Sequence, residues 1–160
     1  MRFLILIIPF FTIISTNAME MKPTVSLAMA SKMADACENL AKKENWRPVN
    51  IAIYDDGGNL KLFRRQDNSF LHSIKIAEAK ARTSSGLPMS TRQLGELAYA
   101  DPAKVPGIEL VPGFVVFPGG LPILTKSGHQ IGGIGVSGAT ADQDEQCAQA
   151  GIDAIQKELN

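Results

Sequence analysis

The chain has 160 residues, of which 45% are hydrophobic and 20% are charged, a balance that excludes wholesale disorder and fits one folded domain. Its 16 basic residues equal its 16 acidic residues, so the chain lacks the positive excess of a general nucleic-acid-binding protein. Two cysteines and two histidines are too few for a cysteine-rich zinc site, so that class is excluded as well.

The start of the chain has the pattern of a secretory signal peptide. Arg2 gives a positive charge, and residues 3–14 form an apolar run that is too short to span a membrane. Small residues then precede a cleavage position after Ala18. We therefore expect residues 1–18 to be removed and residues 19–160 to form a periplasmic or secreted domain without a membrane anchor. An uncleaved anchor is the alternative.

The first part of the mature chain predicts a helix followed by a hairpin. Ser26 is a good N-cap, and apolar residues recur at helical spacing from Leu27 onward. Residues 49–54 and 60–64 alternate between apolar and polar, as strands do. The turn between them, residues 55–59, contains Gly and Asn, which tolerate the backbone angles that a hairpin turn requires.

The rest of the mature chain predicts two more helices, then three strands and a closing helix. Helices are expected over residues 69–84 and 91–98, followed by a proline-rich loop over 99–113. The apolar residues 114–117 predict a short buried strand. Two more strands and a closing helix are predicted over residues 121–125, 130–136 and 142–159. This order predicts an α/β (α+β) domain with a mostly antiparallel five-stranded sheet flanked by helices.

The segment GIGVSG at residues 133–138 matches the dinucleotide-binding pattern G-x-G-x-x-G. A dinucleotide-binding fold also needs a second strand that ends in an acidic residue about 20 residues later, and the sequence predicts a helix there instead. The alternative is that glycine lets the last strand approach a helix or a neighbouring subunit closely. We favour the close approach.

Two cysteines lie on the apolar faces of the first and last predicted helices. If these helices pack side by side, Cys37 and Cys147 can form a disulfide, which an oxidising compartment permits. Otherwise they are two buried thiols that act as small core residues. The sequence leaves both interpretations open.

Candidate ligand-binding residues surround the predicted second helix. His72 and His129 are the only imidazoles, and each is either a ligand of a haem iron or an ordinary surface residue. Arg64, Arg65 and Lys80 are cations that either pair with ligand carboxylates or lie on a solvated face. The small residues around Lys80 predict space for a flat ligand beside it.

Four segments of the mature chain carry a family resemblance when they are taken together. They are IAIYDDGGNLKLFRRQD (51–67), IAEAKARTSS (76–85), GGLPI (119–123) and GHQIGGIGVSGATADQDEQCA (128–148). Their combination resembles the GlcG/HbpS family, also called the haem-degrading domain family, whose domain is fused to some corrinoid adenosyltransferases. The resemblance covers about residues 25–158.

The resemblance implies a compact antiparallel sheet with flanking helices, similar to profilin-like sensor domains. It also implies a symmetric homo-oligomer that binds haem or, less often, a corrinoid, as an accessory to a sensor or receptor protein. Lys80 and Thr83 match the K-A-x-T segment of the family and join the candidate ligand-binding residues. Gln66 stands where members often have a methionine, so the resemblance implies no methionine contact to the ligand at that position.

These features predict an exported protein that binds a tetrapyrrole, most simply haem. Apolar side chains would bury the flat ligand, and basic groups would pair with its propionates. An enzyme that degrades haem or modifies a small metabolite is the first alternative, and a corrinoid-binding or purely regulatory module is the second. The sequence contains no recognisable nucleophile, metal set or cofactor motif, which favours binding over catalysis.

Overall fold

The computed structural model describes residues 21–101, 103 and 107–159, so the predicted signal peptide lies outside the described residues. Within them the chain forms four α-helices, one 3-10 turn and four strands. In chain order these are α1 (Leu27–Lys43), β1 (Asn50–Asp55), β2 (Leu60–Arg65), α2 (Leu71–Gly86), α3 (Thr91–Ala100), the 3-10 turn (Ile108–Leu110), β3 (Gly120–Leu124), β4 (Gln130–Ser137) and α4 (Ala141–Ala154).

The strands form one antiparallel sheet in the order β2-β1-β4-β3. Both predicted hairpins are present, and β4 joins them by pairing with β1, with Asn50 opposite Ser137 at one end and Asp55 opposite Gly132 at the other. The α+β class and the antiparallel sheet are therefore confirmed.

The prediction of a fifth strand over residues 114–117 is wrong. This segment lies against α2 and α3 instead, because the Val115 amide donates to the Thr83 hydroxyl at 3.0 Å and the Val116 carbonyl packs on Gly95. A short apolar run next to proline and glycine has the composition of a buried strand whether or not a neighbouring strand is there to pair with it. The described sheet has four strands, not five.

The helices cover the two faces of the sheet as the predicted order suggests. α1 and α4 pack together on one face, and α2 crosses the other face over β4, β1 and β3. The apolar stripe predicted for α1 is buried between α4 and the sheet from Ala30 onward, whereas Leu27 is 60% exposed. Cys37 and Cys147 are bonded to each other, with their Cα atoms 4.5 Å apart, so the structure selects the disulfide over two free thiols.

The predicted C-terminal end of α4 is the least accurate of the helix limits. α4 begins one residue early, at Ala141, because Thr140 and Gln143 form a capping box at its N-terminus. It ends at Ala154 rather than Leu159, where the chain turns so that the Lys126 amide donates to the Leu159 carbonyl at 2.7 Å. That contact ties the end of the chain to the β3–β4 turn.

Candidate functional site

Small side chains on the inner face of α2 let it lie very close to the sheet. Its buried residues include Ser73, Ala77, Ala81 and Ser84, and the strand beneath it, β4, presents Gly133 to α2. A methyl group added at Gly133 would lie 2.4 Å from the Ser85 amide nitrogen. Helix and strand therefore touch backbone to backbone, and the glycine motif of β4 is explained by this close approach.

Replacing Gly135 with alanine should lower the free energy of unfolding by about 1–3 kcal/mol. The added Cβ would meet the Ala77 carbonyl oxygen and the Ala81 amide nitrogen, each at 2.3 Å, so α2 would have to move away from the sheet. Urea unfolding measures the loss. The control is Gly86→Ala at the end of α2, where no atom lies within 4 Å, so that change should be neutral or slightly stabilising. Equal stability of the two variants would contradict the close approach.

Lys80 points inward from α2 and is held by the protein itself. Its Nζ donates to the Val136 carbonyl at 2.8 Å and to the Asp144 carboxylate at 2.9 Å, and it lies 5.1 Å from the centre of the Phe117 ring. The side chain is 1% exposed, so its ammonium group is not accessible to a ligand in this arrangement. The space expected around Lys80 is filled by β4, which packs on Ala77 and Ala81.

The Asp144 carboxylate is the partner of the buried Lys80 ammonium group. One carboxylate oxygen accepts from Lys80, and the other accepts from the Ala139 amide at 3.0 Å, near the N-terminus of α4. Burial lowers the pKa of Lys80 and raises the pKa of Asp144, while the attraction between the two charges opposes both shifts. The pair thus joins α2, the end of β4 and the start of α4 at one point.

Thr83 lies on the flank of α2 that faces the segment 113–117. Its hydroxyl donates to the Ala79 carbonyl at 2.9 Å and accepts from the Val115 amide at 3.0 Å. The hydroxyl is therefore already used to hold that segment in place. Thr83 positions the apolar wall beside α2, including Phe117.

An accessible surface with one imidazole follows the same flank. His72, Ile76, Ala79 and Thr83 recur three or four residues apart and so share one side of the helix. His72 is exposed, Ile76 and Ala79 are half-buried, Thr83 is buried, and Phe117 at the far end is 44% exposed. We call these five residues the histidine flank.

Large apolar side chains are also exposed at the start of the histidine flank. Phe70 and Leu71, which directly precede His72, are 49% and 68% exposed. The His72 imidazole has no hydrogen-bond partner among the residues that the structure describes. A free imidazole between apolar surfaces suits a flat apolar ligand that carries a metal ion.

The two histidines are not brought together within one chain. His72 lies in the first turn of α2, near Asn50 at one end of the sheet, where Ser73 contacts Asn50. His129 is exposed in the β3–β4 turn at the other end, where Gln130 donates to carbonyls at the end of α2. Only one of the two imidazoles belongs to the histidine flank.

The two arginines of β2 also separate, because neighbouring strand residues face opposite sides of a sheet. Arg64 faces α1 and forms ion pairs with Asp35 at 2.6 Å and Glu38 at 3.3 Å. Arg65 faces the α2 side and donates to the hydroxyl and carbonyl oxygens of Ser69 at 3.3 and 3.4 Å. Only Arg65 is on the α2 side of the sheet.

The sequence did not indicate that two residues of this region, Asp144 and Phe117, belong to the site. Asp144 falls in the first turn of the predicted last helix, where the local sequence gives it no binding role, and Phe117 falls in the predicted strand 114–117. The K-A-x-T resemblance pointed to Lys80 but carried no sign of its partner, which is 64 positions away. The FPGG sequence after residue 116 was the local sign that Phe117 sits at a turn.

The described part of the chain contains neither a cluster of potential metal ligands nor a helix suited to cross a membrane. No group of three or more His, Cys, Asp or Glu residues there is arranged to hold a metal ion. None of the described helices combines the length and hydrophobicity that crossing a membrane requires.

The sequence and the fold of this chain are similar to those of several known proteins. Among curated sequences, a 15.0 kDa protein from the dhaT-dhaS intergenic region of Citrobacter freundii is 36% identical over 87% of this chain and 97% of its own length. The crystal structure of Klebsiella pneumoniae ORFY superposes with a TM-score of 0.79 at 30% identity, covering 88% of this chain and 97% of that one.

Two further matches bear on the family. The structure of a PduOC:haem complex superposes with a TM-score of 0.75 at 29% identity, covering 83% of this chain and 96% of that one. The family model described as haem-degrading protein HbpS-like matches residues 25–153, which include both hairpins, α2 and the Lys80–Asp144 pair. The chain therefore belongs to the HbpS-like family.

Proposed function

We propose that the protein binds haem on the histidine flank, with His72 as the ligand of the iron. The observation that carries this proposal is the likeness to the PduOC:haem complex, which spans 83% of the chain. The family model, described as haem-degrading, supports the same ligand. When bound, haem would supply an iron centre with an open coordination position for an imidazole.

The residues of the histidine flank fit such a ligand. A porphyrin needs apolar contact on its face, which Ile76, Ala79 and Phe117 offer, and a nitrogen for the iron, which His72 offers. Lys80 contributes indirectly, because its ion pair fixes the helix that carries these side chains. His129 lies at the other end of α2 and is the natural control.

Titration of the protein with haemin should give a stable Soret band, and His72→Ala should weaken binding about tenfold or more and shift the band. His129→Ala should leave both affinity and band position unchanged. The measurement is a visible absorption titration followed over several hours. If His129→Ala shifts the band while His72→Ala does not, the assigned ligand is wrong. Steady bleaching of the band would support haem degradation instead of storage or sensing, and no band at all would reject both functions.

We also propose that the protein is exported and works as a homo-oligomer beside a sensor or receptor protein. The signal-like residues 1–18 support export, and so does the Cys37–Cys147 disulfide, which suits an oxidising compartment. Exposed apolar side chains on α3 and the following 3-10 turn, such as Tyr99 and Leu110, support contact with other chains.

Mass spectrometry of the exported fraction tests the export and the oligomeric state. The intact mass should correspond to a chain that begins at Met19 and lacks two hydrogens because of the disulfide. The native mass of the same fraction should be a multiple of that value. Recovery of only the full-length chain in the membrane would reject export, and a native mass equal to one chain would reject the oligomer.

A further inference from the structure

Among the described residues, part of the backbone of β2 has no partner, because β2 lies at one margin of the sheet and pairs there only with β1. The Gln66 amide donates to the Val49 carbonyl, and backbone direction alternates along a strand. Phe63 and Arg65 therefore direct their N–H and C=O groups away from β1. A register shift in the β1–β2 pair ends this regular stretch at Lys61. Two donors and two acceptors remain available for another strand.

Positive charge borders this free edge. The Arg65 guanidinium has only the long hydrogen bonds to Ser69, and no carboxylate of the described residues lies within 4 Å of it. Arg82 in α2 is held by Tyr54 of β1, since it donates to the Tyr54 hydroxyl at 3.2 Å and lies 5.0 Å from the centre of that ring, and it forms no ion pair with a described carboxylate. Lys61 reaches the Asp55 carboxylate only at 3.9 Å. The edge is therefore basic in a chain whose formal net charge is zero.

An apolar side chain lies between these charges. Phe63 is half-buried and packs against Ala52, Tyr54, Ala77 and Ala81, on the α2 side of the sheet. α2 packs mainly on β4, β1 and β3, and Phe63 stays half-buried, so part of its side chain remains accessible. A strand added beside β2 would meet a basic, an aromatic and a basic side chain in succession.

We propose that β2 accepts an extended acidic segment of a partner protein as an additional antiparallel strand. Backbone hydrogen bonds to Phe63 and Arg65 would supply affinity, and a pattern of acidic, apolar and acidic residues at alternate positions would supply specificity. Pairing with a second copy of this chain is disfavoured. In such a pair centred on Phe63, Lys61 of each copy would lie opposite Arg65 of the other, and like charges repel.

The test uses a blocked, fluorescently labelled peptide, Thr-Glu-Thr-Val-Thr-Glu-Thr, and the mature protein. Fluorescence anisotropy should show binding that weakens with added salt. Amide NMR should show that the N–H groups of Phe63 and Arg65 become protected from exchange. The same peptide with a methyl group on the valine nitrogen should bind at least about tenfold more weakly, because it lacks a backbone donor.

Charge reversal supplies the matched control. Arg65→Glu should weaken binding of the acidic peptide about tenfold or more, and it should restore binding of a peptide in which lysine replaces only the first glutamate, which lies opposite residue 65. Arg47→Glu, an exposed arginine in the loop before β1, should change neither affinity. Absence of peptide binding, equal binding of the N-methylated peptide, or self-association through β2 in place of peptide binding would each overturn the proposal.

Discussion

Replacing Lys80 with methionine should lower the free energy of unfolding by about 3–5 kcal/mol, because the change leaves the Asp144 carboxylate buried without its cation. Methionine keeps most of the side-chain volume, so the loss reports the charge rather than a cavity. Urea unfolding at neutral pH measures it. The control is Lys75→Met on the same helix. Its ion pair with Glu78 is exposed, so its loss should stay within about 0.5 kcal/mol.

Two further measurements test whether the loss of stability in Lys80→Met comes from the unpaired charge. Without Lys80, only the backbone hydrogen bonds from Gly138 and Ala139 oppose the upward shift that burial gives to the pKa of Asp144. A folded carboxyl with a raised pKa binds protons more tightly than the unfolded chain, so the variant should lose stability as pH rises above about 4. The deficit should thus be smaller near pH 4 than near pH 7.

The double variant Lys80→Met with Asp144→Asn should recover most of the loss. Asparagine removes the buried charge and keeps an oxygen that accepts from the Ala139 amide. A loss below about 1 kcal/mol in Lys80→Met alone would contradict the role given to the ion pair. So would a double variant as unstable as the single one at neutral pH.

Removing the Cys37–Cys147 bond should lower the free energy of unfolding by about 2–5 kcal/mol. The two residues are 110 positions apart, and closing a loop of that length restricts the unfolded chain by up to about 4.7 kcal/mol in the chain-entropy description. The double variant Cys37→Ala with Cys147→Ala, compared with the oxidised protein in urea, gives the size of the effect.

A reductant provides the control for this measurement. Tris(2-carboxyethyl)phosphine should lower the urea midpoint of the natural protein after unfolding and refolding, and it should leave that of the double alanine variant unchanged. Thiol counts before and after reduction confirm the state of the bond. Equal stability of oxidised and fully reduced protein would show that the bond does not stabilise the fold.

Local patterns in the sequence determined most of the secondary structure. Ser26 accepts from the Met29 amide and begins α1 where the cap was expected, and the Gly-rich turn at residues 55–59 makes the first hairpin. The family was also identifiable, since its segments are contiguous and the model of the family matches residues 25–153. Capping, turn geometry and side-chain periodicity depend on residues that are close together in the chain, so they can be recognised in the sequence.

The tertiary structure alone decided how the candidate residues are used. Lys80 was chosen from the sequence as an accessible cation, but its charge is satisfied by Asp144, 64 positions later. His72 and His129 were equivalent in the sequence, and only the direction of α2 across the sheet separates them. The residues 114–117 had the composition of a strand, yet the Thr83 hydroxyl holds them beside α2.

The physical reason for this division is the range of the interactions. A cap, a turn or an apolar stripe is stabilised by neighbours in the chain, so the sequence by itself determined the helices, the hairpins and the family. A buried charge finds its partner only when distant segments meet, and a strand exists only if another strand lies beside it. Only the packing of α2 between β4 and the segment 113–117 therefore decided that Lys80 is internal and that His72 faces solvent.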